Sequence, residues 1–160
     1  MKKRFFTIAV ISGIAALFLV GGILAGTDVP DVITLKNKAY KKHKKGIVEF
    51  THKKHMDEYA KKAPDLYKNG CGECHHDEDN KPLVNLKEGD DVQNCIECHK
   101  KPSERPKGKD KPKLSKKERL AYHAEALHYN CKGCHKKYNK MTKKKTAPTT
   151  CKKCHPKKKK

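Results

Sequence analysis
One five-residue pattern occurs four times in this chain and uses every cysteine the chain has. The copies are Cys71-Gly72-Glu73-Cys74-His75, Cys95-Ile96-Glu97-Cys98-His99, Cys131-Lys132-Gly133-Cys134-His135 and Cys151-Lys152-Lys153-Cys154-His155. The intervals between copies are unequal, so they mark four anchor points and not a structural repeat of fixed length. Ten of the 160 residues are histidines. At that frequency, four histidines falling by chance directly after four Cys-x-x-Cys pairs is a coincidence on the order of one in 65,000.

The spacing has a chemical reading. On one turn of helix, cysteines at positions 1 and 4 can reach two vinyl groups of a porphyrin, and the histidine at position 5 rises beneath the iron. That is the signature of c-type haem attachment, here four times over. Two other readings use the same residues. Cys-x-x-Cys pairs separated by 20 residues (74 to 95) or 16 (134 to 151) suit zinc ribbons, but those need no histidine after each pair. Four disulfides are the other choice, although bridges within Cys-x-x-Cys are usually redox-active and not structural.

Composition supports the haem reading. Residues 1–26 hold 17 of the 56 hydrophobic residues, and eight of the remaining 39 are cysteines. Ordinary apolar side chains therefore make up about 23% of residues 27–160, against close to half in a typical globular domain. Such a chain is disordered unless something other than side chains fills its interior, and four covalent porphyrins would do so. Secondary structure is expected to be sparse: mainly helix and irregular chain, with little strand. A capping-box pair, Ser115 and Glu118, opens a helix from 115 to about 129, with Leu120, Ala124 and Leu127 on one face. A short strand is expected near 46–50, and residues 101–113, with three prolines and no apolar side chain, read as an exposed loop.

The leader points outside the cytoplasm. Lys2, Lys3 and Arg4 precede an apolar run over 5–24 that ends in Ala25 and Gly26. This is the layout of a signal peptide cut near 25–26, or of an anchor long enough to span a bilayer if left uncut. Either way residues 27–160 are exported. The expected organisation is a leader (1–26), a polar lead-in (27–45) and a haem-bearing domain (46–160).

Six histidines remain after the four in the motifs: His43, His52, His55, His76, His123 and His128. Beyond the leader only Met56 and Met141 are methionines, too few to ligate four irons. Bis-histidine ligation needs four of the six. His52 and His55 lie three apart, so on a helical turn they can serve two different irons. His76 follows His75 directly and can reach only a neighbouring haem. His43, in a run of lysines, reads as solvated.

Phe50-Thr51-His52-Lys53-Lys54-His55, followed by Cys71-Gly72-Glu73-Cys74-His75-His76, resembles the tetrahaem class III cytochromes c, periplasmic electron carriers of sulfate- and metal-reducing bacteria. The likeness runs over about 46–160, with four haem motifs in order. It implies a small multihaem cytochrome c fold wrapped around four covalently bound haems (haem c), attached through Cys71, Cys74, Cys95, Cys98, Cys131, Cys134, Cys151 and Cys154. It also implies the axial iron ligands: His52 with His75, His76 with His99, and His55 with His135. For His155 the partner is His128, two residues ahead of Cys131, or alternatively His123, seven ahead; helical phase does not decide between them. The chain departs from the family pattern in the long connector from His55 to Cys71 and in having the short Cys-x-x-Cys-His spacing at all four haems.

With both axial positions filled, the expected role is electron carriage and not catalysis: a low-potential multihaem carrier in anaerobic respiration. The alternative is a multihaem reductase with one iron left open. The resemblance implies redox partners such as hydrogenase, formate dehydrogenase or a membrane-bound multihaem cytochrome. The chain carries a formal +21, unevenly spread. Residues 71–98 hold eight acids against Lys81 and Lys87, whereas from Ala126 onward there are 13 lysines and no acid. An acidic partner docking at the Lys-rich haem 4 end is expected. A zinc module bound to nucleic acid is not, because the aromatic residues form no stacking pattern and an exported chain does not meet that partner.

Overall fold
The computed structural model describes residues 29–157. The expected leader over 1–26, cut near 25–26 or kept as an anchor, and Lys158, Lys159 and Lys160 of the terminal lysine run lie outside the described residues.

Two short strands form the only sheet among the described residues: β1 (Ile33–Thr34) and β2 (Glu49–Phe50), antiparallel, with Ile33 opposite Phe50 and Thr34 opposite Glu49. The Thr34 hydroxyl donates to Glu49 at 2.9 Å, and the ladder continues through Leu35 N–H to Val48 C=O, 2.9 Å. The sheet therefore ties residues 31–36 of the lead-in to the chain just ahead of His52. A continuous helical stretch follows: α1 (His52–Lys54), a π-helical turn (His55–Tyr59) and α2 (Ala60–Lys62). It stops at Ala63, φ −142°, because Pro64 disfavours a helical conformation in the residue before it.

Each cysteine motif is one tight turn. The first is a 3₁₀ turn (Gly70–Glu73); the second and fourth are the single-turn helices α3 (Cys95–Cys98) and α6 (Cys151–Cys154). In each, the histidine N–H bonds back to the carbonyl of the first cysteine, at 3.0, 2.9 and 2.8 Å for His75, His99 and His155. The third motif is built into α5 (His123–Thr142), the longest helix.

The helix expected from Ser115 begins as predicted. The Ser115 hydroxyl accepts from Glu118 N–H and the Glu118 carboxylate accepts from Ser115 N–H, starting α4 (Lys116–Leu120). It then breaks at Tyr122, ψ 116°, and restarts as α5, which runs on past 129 to Thr142. The break has a cause outside the segment: Lys101, trailing the second motif, donates to Ala121 C=O at 3.0 Å and accepts from His123 N–H at 2.9 Å. The intervening loop 102–114 is irregular, as expected.

Side chains build almost no interior. Among the described residues only Ala63 and His123 (each 7% exposed) and Gly72 are buried, and no side chain is fully enclosed. No helix among them is long and apolar enough to cross a membrane. The architecture is mainly helical and irregular with little strand.

Candidate functional site: four imidazole pairs beside four cysteine pairs
Each motif histidine faces one other imidazole. His52 lies against His75 with ring centres 6.3 Å apart, His76 against His99 at 6.0 Å, His55 against His135 at 6.2 Å and His128 against His155 at 6.2 Å. Two imidazoles sharing a metal at about 2.0–2.1 Å per bond, with roughly 1.1 Å from nitrogen to ring centre, have centres about 6.2–6.4 Å apart. The spacing therefore fits one metal atom between the members of each pair. The ring planes cross at 81°, 68° and 87° in the first, second and fourth pairs, and at 32° in the His55–His135 pair.

Most of these rings are held from behind. The Nδ1–H of His55 donates to Thr51 C=O (2.8 Å), His76 to Asp77 C=O (2.7 Å), His99 to Leu120 C=O (2.6 Å), His135 to Pro148 C=O (2.7 Å) and His155 to Gly46 C=O (2.8 Å). A carbonyl can only accept, so in these five rings the proton is on Nδ1 and the lone pair on Nε2 is free to ligate. Burial pulls the His52, His55, His75 and His128 imidazoles below their usual pKa, which favours the neutral, ligating form.

The sequence puts the acceptors in place by local means. Leu120 ends α4, where carbonyls lack helical partners, so the carbonyls of Leu120 and Ala121 are available to His99 and Lys101. Pro148 is held by a clasp on α5, in which the Asn139 side chain bonds both the N–H and the C=O of Ala147 (3.0 and 2.9 Å). Gly46 reaches the fourth motif because it has no side chain: a Cβ there would lie 2.0 Å from the carbonyl oxygen of Pro156. Gly72, inside the first motif, packs against Leu83, whose backbone would stand 3.0 Å from a Cβ.

All eight thiols are unpaired. Desolvation, then Cys131 and Cys134, pushes the Cys74 thiol up to about 12, and Cys131 is raised by desolvation and by Cys154, Cys95 and Cys134. Thiols of the other three motifs thus lie toward Cys131 on α5. Asn130 adds a bond from α5 to Cys74 C=O, 3.2 Å. No three His, Cys, Asp or Glu side chains among the described residues converge on a metal-ion site of the zinc-ribbon kind.

His123, the alternative partner for His155, is placed elsewhere. It is buried, its Nδ1 is 2.9 Å from the Tyr40 hydroxyl, and Tyr40 in turn stacks on His43 with ring centres 5.1 Å apart. This cluster and the five carbonyl acceptors are the neighbours of the paired rings that sequence reading missed. Backbone acceptors leave no mark in a sequence, and the sign of the cluster was two histidines beyond the four that pairing needs.

A family model described as class III cytochrome c matches residues 30–155. No individual curated protein and no solved structure matches the chain.

Proposed function
The chain belongs to the class III cytochrome c family, and from that premise we propose a periplasmic, low-potential carrier with four bis-histidine haems. Membership makes it a multihaem electron-transfer protein with covalently bound haem c. The number four, the ligand set, the compartment and the partners are our reading.

The observation that carries it is the set of four imidazole pairs with ring centres 6.0–6.3 Å apart, each beside its own cysteine pair. In this reading Cys71 and Cys74 hold the first haem, with His75 and His52 as ligands. Cys95 and Cys98 serve the second with His99 and His76, Cys131 and Cys134 the third with His135 and His55, and Cys151 and Cys154 the fourth with His155 and His128. Bound haem c supplies a one-electron ferric–ferrous couple. Two imidazoles to each iron would leave no position for a substrate and would lack the potential-raising effect of methionine ligation. His52 and His55, on one helical stretch, hold two sites in fixed relation. The lysines of α5, α6 and the loop between them offer a basic surface for an acidic redox partner such as a hydrogenase, a formate dehydrogenase or a membrane-bound multihaem cytochrome.

Electron paramagnetic resonance of the oxidised, haem-loaded protein tests the ligand set. Crossed imidazole planes donate into different iron d orbitals and leave the g tensor strongly anisotropic; near-parallel planes give a rhombic signal. The expected spectrum is entirely low-spin, with three strongly anisotropic centres and one rhombic centre, the His55–His135 site. Carbon monoxide added to the reduced protein should leave the optical spectrum unchanged. A high-spin centre that binds carbon monoxide would mean an open iron, as in a multihaem reductase, and would end the carrier reading.

A further inference from the structure
The eight paired imidazoles are not equally supported. Both members of the His76–His99 pair donate from Nδ1 to a carbonyl, as do both members of the His55–His135 pair. In the His128–His155 pair, His155 does so. In the His52–His75 pair no ring hydrogen bond exists among the described residues. His52 Nδ1 is buried and has no partner at all, where a polar atom is normally bonded. Its surroundings explain why: the Phe50 ring packs on it at 5.6 Å, and the nearby Glu88 carboxylate is held by Lys53, 3.3 Å away.

A hydrogen bond from Nδ1–H shifts electron density toward Nε2 and makes the imidazole a stronger donor, and such outer contacts are worth roughly 10–100-fold in metal binding. A stronger donor stabilises the ferric state. Resting on the four-haem reading, we propose that His52 is the weakest axial donor of the eight, and that the iron it shares with His75 is reduced ahead of the iron between His76 and His99. Both motif histidines, His75 and His99, lie beside or within the acid-rich segment 71–98, away from the lysine-rich end. An electron shared between these two sites then settles at the His52–His75 site.

The test is a redox titration of the full haem-loaded protein by nuclear magnetic resonance, with each haem assigned through its axial imidazoles. At half-reduction the reduced-to-oxidised ratio at the His52 site should exceed that at the His76 site by about tenfold. The order should survive about 1 M salt, where the Debye length is about 3 Å and surface charge is screened. In the reduced, histidine-labelled protein, the Nδ1 protons of His55, His76, His99, His135 and His155 should be shifted downfield, and that of His52 should not. Equal or reversed reduction order, reversal in salt, or a hydrogen-bonded His52 Nδ1–H would each overturn the proposal. A high-spin iron at His75 would instead overturn the ligand assignment itself, and the ordering with it.

Discussion

His123 and Tyr40 meet 2.9 Å apart in the most enclosed polar spot among the described residues. Burial, and after it the neighbouring His99, holds the His123 imidazole below its usual pKa, and burial raises that of the Tyr40 phenol. The folded chain thus keeps His123 neutral. Above about pH 6.5 the unfolded chain does too, and no penalty arises; as the pH falls below that value the unfolded chain takes up the proton first, so stability is lost. Tyr40→Phe should lower the denaturant midpoint at pH 7, removing about 1–3 kcal/mol by leaving a buried nitrogen unpaired. An unchanged midpoint would mean the bond contributes nothing. The four ring pairings that the structure shows match those the resemblance implied, and the residues involved were legible because the pattern is one of side chains. Helical phase along one unbroken helix does not separate His123 from His128; the break at Tyr122 turns the two rings to different neighbours: Tyr40 for His123, His155 for His128.

At the scale of elements, α4 is a five-residue helix whose last carbonyl holds His99. Its start is secured by the Ser115–Glu118 capping box, legible in the sequence because both partners lie within four residues. Ser115→Ala should cost about 0.5–2 kcal/mol. It should also disturb one haem: the resonances of the His76–His99 site should shift while those of the His55–His135 site, held by Thr51 and Pro148, stay in place. Equal shifts at both would disconnect α4 from His99. What was not legible is non-local. The interruption at Tyr122 answers to Lys101, some twenty residues away, and the strand at 49–50 is completed by Ile33 and Thr34 from the lead-in. Periodicity reads neither, because the partner sits outside any window along the chain.

For the whole molecule, composition was the most informative reading: the shortage of apolar side chains foretold an interior that side chains do not fill, and only three residues among those described are buried. Charge separation was legible in the same way, as eight acids over 71–98 and 13 lysines after 126. The rate of reduction by an acidic redox partner should therefore fall steeply as ionic strength rises from about 0.01 to 0.15 M, since the screening length shortens from about 30 to 8 Å. A flat profile would remove the lysine surface from the docking account. The scarcity of enclosed side chains also bears on descent. A protein whose amino acids seldom lock against one another can change many of them at little cost, provided the ring-holding positions, and the few side chains that brace them, keep their order and intervals. Kinship among such molecules lies in punctuation more than in vocabulary, so pairwise resemblance fades early while the pattern endures.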